Sequence, residues 1–563
     1  MIKRLAAAMF IAMLITSTAV VNFSNAQSSA HKHLDHHGRR TTEHVNLRKV
    51  AEANGYKKVS SLAVFPEFLP GLGVFYVKPE TLPHGPLLSF DRKDRLIATV
   101  YMIPVQDTND QKKLDLSGFG GRIDHVTYYF QSGHVGADMP HYHFVIWNVS
   151  KEGEARVAGR TCFTCHQPQN AWTVSSAGVS ARFEASGGTD PIFRLVDGAT
   201  CPTDDVSTLA ARREAYQLVI GKGLIRVGLP MPAANLQFAV TNVVDPYNCT
   251  TNPATGLTSP TTGIVSVYRR PLPSTNLGFL STIMFDGREP SLQSQAIDAT
   301  LIHAQANATP TPDQVSQIVA FESGIFTAQV FDNGAHVLTV LKAKGGPVAL
   351  SAELPKFFID VNDPFGLNPT GALFNPNIFD LYKPWLSLVG TNIQTQDRLS
   401  IARGEELFNT STINIKGVAG INDALHVTNF SGVCGTCHDT PNVGDHSVKA
   451  PLNIGIANTV NNPPTPALDI SGLPVFTLTC TQGPLAGQTF VVTDPGRALI
   501  SGQCADIGKF KGPILRGLAA RAPYFHNGSA ATLLDAVNFY DQRFTIGFTD
   551  QQKEDLVNFL NTL

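Results

Sequence analysis

The sequence predicts a mainly α-helical protein: a smaller β-rich domain comes first, and two helical domains follow, each built around one copy of a short cysteine motif. Three observations carry this expectation. The stretch "TCFTCHQP" at 161–168 returns as "VCGTCHDT" at 433–440, so one pattern, Cys-x-x-Cys-His, is written twice. Apolar residues spaced by three and four recur in several runs after residue 290, which is helical periodicity. Between residues 59 and 150 the runs are short, alternating and broken by Gly, Pro and Asp, which is strand chemistry. A chain of 563 residues is also too long for one core, and roughly two to four domains are expected.

Taken in order, Lys3 and Arg4 precede the apolar run "LAAAMFIAMLITSTAVV", and the small residues Ser24 and Ala26 suit cleavage before Gln27. Residues 1–26 are therefore read as a signal peptide rather than a retained anchor. Residues 27–58 are a His-rich arm with His31, His33, His36, His37 and His44, read as exposed and flexible in preference to a metal site. The β-rich domain, 59–150, holds "GVFYV", "RLIATVYMI", "HVTYYF" and "HYHFVIW". Strand periodicity puts His141 and His143 on one face, where His125 or His134 would join them around a metal; histidines hydrogen-bonded within a strand pair are the preferred alternative.

The first motif domain spans 151–395 and includes a loop-rich insertion at about 172–277, rich in Gly, Pro, Ser and Thr. Helices are expected at "SLQSQAIDATLIHAQA" and at "TPDQVSQIVAFESGIFTAQ". The second motif domain spans 396–563. Its run "QDRLSIARGEELFN" reads as the helix leading into the motif loop. The terminal "TDQQKEDLVNFLNTL" has Thr549 and Gln552 at capping-box spacing and Leu556, Val557, Leu560 and Leu563 on one face.

Charge excludes more than it assigns: 43 basic against 45 acidic residues imply neither a nucleic-acid partner nor an anionic membrane surface. No segment after the leader has 18 uninterrupted apolar residues, so the mature chain is expected to have no membrane span. The two motifs carry the chemistry. Paired cysteines at this spacing add as thioethers to the vinyl groups of a haem, and the adjacent histidine then ligates the iron. Cys162, Cys165 and His166 are expected to hold one haem c; Cys434, Cys437 and His438 the other. A zinc site would want two cysteine pairs closer together, and a redox dithiol a strand before and a helix after. Neither context is present. Thioether attachment takes place outside the bacterial cytoplasm, so a periplasmic or secreted protein is expected. In that oxidising setting, sequence proximity favours disulfides Cys201–Cys249 and Cys480–Cys504 among the three pairings of the remaining cysteines.

The residues "FKGPILRGLAARAPYFHNGSAATLLDAVNFY" before the terminal helix, together with "FDGREPSLQSQA" at Phe285–Ala296, resemble the bacterial dihaem cytochrome c peroxidases. That family includes the enzyme that matures methylamine dehydrogenase and the dihaem rubber oxygenases. The resemblance runs from about Cys162 to Leu563, omitting the insertion. Upstream, "PEFLPGLGVFYV" and "MPHYHFVIW" resemble an uncharacterised bacterial domain with a Pro-His-Tyr-His motif, from which no function carries over.

The resemblance implies two cytochrome c-like haem domains around a shared interface. It makes the His166 haem the place where peroxide or dioxygen reacts, and the His438 haem an electron store or relay fed by a small redox protein. Gln295 falls on the family's distal glutamine and Arg288 in its "DGR" turn. Where its peroxidases carry a distal glutamate this chain has Gln305, with His303 close by as the substitute proton shuttle, and Phe285 stands for the usual tryptophan between the haems. The last methionine is Met284, so methionine ligation from within the second haem domain is excluded. Alignment puts Tyr540 at the family's sixth-ligand position; His526 is the runner-up and His446 a third candidate. A calcium ion between the domains is a further possibility. The first reading is thus an exported haem oxidoreductase acting on peroxide or dioxygen. A six-coordinate electron carrier and an oxygenase like the rubber-cleaving members are the alternatives.

Overall fold

Strand Leu96–Pro104 is buried along its whole length and organises the N-terminal part of the fold. The computed structural model describes residues 46–563 except 63–66, 68–72, 111, 121, 134–136, 138, 151–159, 233–235, 250–263 and 460–467. The expected leader, most of the His-rich arm and His134 lie outside the described residues. Leu96–Pro104 sits inside an antiparallel seven-stranded sheet in the order Lys57–Lys58, Val74–Val77, Leu87–Phe90, Leu96–Pro104, His141–Trp147, His125–Gln131, Ile325–Phe326. All four alternating runs of the sequence become strands. The seventh strand is supplied from beyond the β-rich segment: Ile325 and Phe326 pair with Gln131 and Phe130 directly after helix Pro312–Gly324. The chain approaches closely at Gly324, where a Cβ would lie 3.1 Å from the Gly133 carbonyl oxygen.

The expectation of a mainly α fold is overturned. Helix makes up 31% and strand 19% of the structure, and several sheets are present. Much of the excess strand comes from the segment read as loop-rich. Ile225–Pro230 pairs with Ile264–Arg269, while Phe238–Val244 joins Val475–Cys480 and Thr489–Val492 in a three-stranded sheet. These are four- to seven-residue runs whose partners include chain more than two hundred residues away, so local periodicity carries little of their signal. Cys201 is bonded to Cys249 and Cys480 to Cys504, the pairings that proximity favoured.

The helices around the second motif follow the sequence reading closely. Helix Ile393–Thr410 packs on the terminal helix Asp550–Asn561, whose N-terminus carries the Thr549–Gln552 capping box. The two backbones approach so closely that a Cβ on Gly404 would sit 2.0 Å from the Asp555 carbonyl oxygen. Ser400 and Arg403 both bond the Asp555 carboxylate at this contact. Leu556 and Leu563 are buried, and Val557 and Leu560 pack on the same core. Among the described residues no helix is long and apolar enough to cross a membrane.

One buried charge network stitches the two haem-motif segments together. Arg269 donates to Asp494 at 2.7 and 2.9 Å and to Asp286 at 2.5 Å, and Arg288 caps the far side of Asp286 at 3.0 and 3.1 Å. Arg269, Asp286 and Asp494 are all fully or almost fully buried. Breaking such a group from one side leaves an uncompensated buried charge, which costs roughly 3–5 kcal/mol. Asp494→Ala is therefore expected to lower the denaturant midpoint strongly, whereas a substitution of the exposed Glu184–Arg213 pair leaves it nearly unchanged.

Candidate functional site

Both motifs fold into the same loop. In each, a single 3-10 turn, Cys162–Thr164 or Cys434–Thr436, is tied by its third residue: the Thr164 and Thr436 hydroxyls each accept the N–H that precedes their motif, at 3.0 Å. His166 and His438 then donate their backbone N–H to Cys162 and Cys434, at 2.8 and 3.1 Å. Each ring is aimed by a carbonyl six residues on: Nδ1 of His166 bonds the Trp172 oxygen at 2.8 Å, and Nδ1 of His438 the Gly444 oxygen at 2.7 Å. That fixes the tautomer with the proton on Nδ1 and leaves the Nε2 lone pair for a metal. Burial lowers the pKa of both imidazoles, which keeps them neutral as ligation requires. Turning the Trp172 carbonyl back onto His166 places Ala171 and Trp172 at φ 51° and 58°, a region seldom occupied by side-chain-bearing residues.

The competing readings of the cysteines lose ground here. Burial pushes the Cys165 thiol up to about 11 and those of Cys434 and Cys437 up to about 12, the reverse of the lowered values of a reactive dithiol. Among the described residues no group of three metal-ligating side chains exists, as zinc or the histidine site of the β-rich domain would need. His141 and His143 do meet, Nε2 to Nε2 at 2.8 Å. His125 instead stacks on Trp147, opposite it in the strand pairing.

A cavity opens over the first motif. Its walls bring together Cys162, Cys165 and His166 with Gln295 and His303 from the helical run 292–303. His303 Nδ1 bonds the Asp197 carboxylate at 2.8 Å; the same carboxylate takes the Arg160 guanidinium at 2.5 and 2.6 Å. Arg160 and Asp197 were not picked out in the sequence, although an arginine two residues before a haem motif is a usable signal. Arg288 is not on the wall, its guanidinium being engaged by Asp286. Gln305 is exposed and also off the wall.

The cavity is cationic in a way that its own residues do not balance. Arg160, Lys511, Arg516 and Arg521 line it. Arg516 Nε and Nη2, Arg521 Nε and Arg160 Nη1 are buried without a partner among the described residues. Burial pulls Arg516 and Arg521 down to about 10 and Lys511 down to about 8. Buried cations of this kind require a compensating anion. A haem attached at Cys162 and Cys165 would bring two carboxylates able to supply that charge, so the residues present fit the group.

The second site is built into an apolar cluster that contains Cys434, Cys437 and Tyr540 with Ile413, Ile415, Leu452 and Phe544. Phe408 stands 6.1 Å from the His438 ring. Tyr540, on helix Leu533–Phe544, has no hydrogen-bond partner for its hydroxyl among the described residues, and burial raises its pKa. His526 is buried elsewhere: it stacks on Phe510 at 3.8 Å and meets Phe285 at 6.0 Å, its Nε2 lies 3.7 Å from the Asp494 carboxylate, and neither ring nitrogen has a hydrogen-bond partner among the described residues. His446 bonds Asp439 at 3.1 Å.

Three successive carbonyls link the two sites. Asn442 accepts Arg516 Nη1 at 3.2 Å, Val443 accepts the Leu515 N–H at 3.1 Å, and Gly444 accepts His438. The wall of the first cavity and the loop that aims His438 therefore share one stretch of backbone.

No protein-family model matches the chain. Among curated proteins it is similar to the cytochrome-c peroxidase IdrP2 of Denitromonas iodatirespirans, 31% identical over 153 residues, or 25% of this chain and 38% of that one. It is also similar to cytochrome-c peroxidase IdrP1 of the same organism, 41% over 69 residues, covering 10% and 18% of the two chains. The matched lengths are less than two fifths of these relatives. These matches support a cytochrome c peroxidase-like family. Among solved structures, a MauG-like protein associated with microbial copper homeostasis is 16% identical with TM-score 0.28, covering 54% of this chain and 77% of that one. A hypothetical protein of Thermus thermophilus is 38% identical with TM-score 0.15, covering 16% and 92%.

Proposed function

We propose that the chain is an exported dihaem c-type cytochrome of the peroxidase-like family, reducing peroxide at the first motif with electrons relayed through the second from a small redox protein. The observation that carries this reading is the cavity in which the His166 loop faces Gln295 and an Asp197-oriented His303. Bound there, the haem would supply an iron that exchanges electrons and accepts an oxygen ligand. The chain's own residues do the rest. With Nδ1–H donated to Asp197, His303 keeps Nε2 as a base able to take a proton from one peroxide oxygen and return it to the other. The unpartnered Nη1 of Arg160 is a fixed donor for negative charge that develops on the departing oxygen. Gln295 offers an amide to hold the substrate but no transferable proton. The test is peroxide-dependent oxidation of a reduced small cytochrome or cupredoxin, together with an EPR spectrum containing a high-spin ferric signal.

A second reading has its own observation. Met284 lines the same cavity as His166, and if its thioether were a further ligand of a bound haem it would close the site and make the chain an electron carrier. Two low-spin signals and indifference to cyanide favour it.

At the second motif we infer that Tyr540 is the sixth ligand, since it shares the apolar cluster of Cys434 and Cys437. An anionic oxygen donor stabilises ferric iron more than a thioether does, so a low potential is expected. Tyr540→Phe should change the spectrum of this haem and raise its potential. No change in that variant, with a change in His526→Ala, replaces the tyrosine by bis-histidine ligation.

A further inference from the structure

Helix Pro312–Gly324 is amphipathic with one exception: in "IVAFESGIF" a carboxylate, Glu322, falls one turn after Ile318 on the face that lines the first cavity. Glu322 is 8% exposed, and its Oε1 is buried without any hydrogen-bond partner among the described residues. A carboxyl in that position has three options: an ion pair, a hydrogen bond, or neutrality. Among the described residues no ion pair reaches it. The charged groups that share the cavity, Arg160, Asp197, His303, Lys511, Arg516 and Arg521, belong to other walls, and none bonds Glu322. The helix places it beside the first cysteine, and its charge would act on the Cys162 thiol, which ceases to titrate once it is a thioether. From the sheet side, Gln131 reaches the neighbouring Phe321 carbonyl at 3.3 Å instead.

The stoichiometry of the proposed reaction leaves work for such a group. Peroxide, two electrons and two protons give two waters. A proton that His303 moves from one peroxide oxygen to the other is not a net supply, so both consumed protons enter from elsewhere. We propose that Glu322 is a second acid of the cavity, kept as a neutral carboxylic acid, that delivers one of the two protons consumed as the remaining oxygen becomes water, and is reprotonated from solvent through the cavity mouth. The two electrons come one at a time from the reduced donor protein. This inference rests on the peroxidase reading above. Desolvation agrees with it: burial raises this carboxyl to about 8, so the acid form prevails at neutral pH.

The experiment compares the intact two-haem protein with Glu322→Gln and Glu322→Asp. Glutamine matches the neutral acid in shape, so Glu322→Gln is expected to keep both haem spectra and the wild-type unfolding midpoint at pH 6. Peroxide-dependent oxidation of a reduced donor cytochrome at pH 7 should fall roughly a hundred-fold or more, the usual loss of a general acid. Wild-type turnover should decline as pH rises through about 8; Glu322→Gln should lack that limb, and Glu322→Asp should restore it in part. Independently of turnover, the infrared spectrum should contain a carboxylic-acid carbonyl band at pH 6 that disappears at alkaline pH and is missing from Glu322→Gln. Turnover and an alkaline limb in Glu322→Gln equal to wild type, or an unchanged acid band, overturn the proposal alone. A wild type that turns over no peroxide overturns the peroxidase reading and this role with it, a result separable from the first because the parent protein is then inert.

Discussion

Replacing Cys162 and Cys165 together by alanine is expected to yield a protein that keeps one covalent haem and no longer consumes peroxide. Thioether formation needs both sulfurs at the mouth of the first cavity, and nothing in the second motif loop depends on them: its turn is closed by Thr436 and its histidine by Gly444. The second haem should therefore retain its spectrum. The first cavity, in contrast, would be left with cations that burial has already pulled down in pKa and no anion to answer them. A loss of thermal stability should accompany the loss of the haem. The measurement is the mass of the denatured variant together with its peroxide turnover. The reciprocal variant, Cys434→Ala with Cys437→Ala, should lose the other haem and the electron supply.

Second in size is His303→Ala. Removing a positioned general base lowers a rate by roughly 10²–10⁴. The Asp197 carboxylate that orients the ring is itself buried and held by Arg160, so the imidazole has a defined direction before substrate arrives. Asp197→Asn should reproduce part of the loss, because an amide can donate to Nδ1 and turn the ring to the wrong tautomer. Gln305→Ala should change little, since that residue is exposed and lies off the cavity wall. Equal turnover in His303→Ala and wild type would remove the histidine from the mechanism.

What the sequence made legible follows from how local each signal is. The two haem motifs are five-residue patterns, and both fold into one and the same turn. The capping box at Thr549 and the strands of "RLIATVYMI" and "HYHFVIW" are likewise local and were found. The strands Phe238–Val244 and Val475–Cys480 were not, because a half-buried run of six or seven residues acquires its partner from distant chain. The same holds at the site. Gln295 and His303 were reachable through a resemblance in linear order, whereas Asp197 and Arg516 act only because the fold brings the insertion and the last hundred residues to the cavity wall. Glu322 was visible in principle as a lone acid on an apolar helix face. Its environment was not.

Every role proposed for the two motifs requires two covalently bound haems, one per motif. Mass spectrometry of the denatured protein is the test. The expected mass is that of the polypeptide plus two haems, falling by one haem in each double-cysteine variant; a mass equal to the bare polypeptide, with all four motif cysteines open to alkylation, rules covalent attachment out.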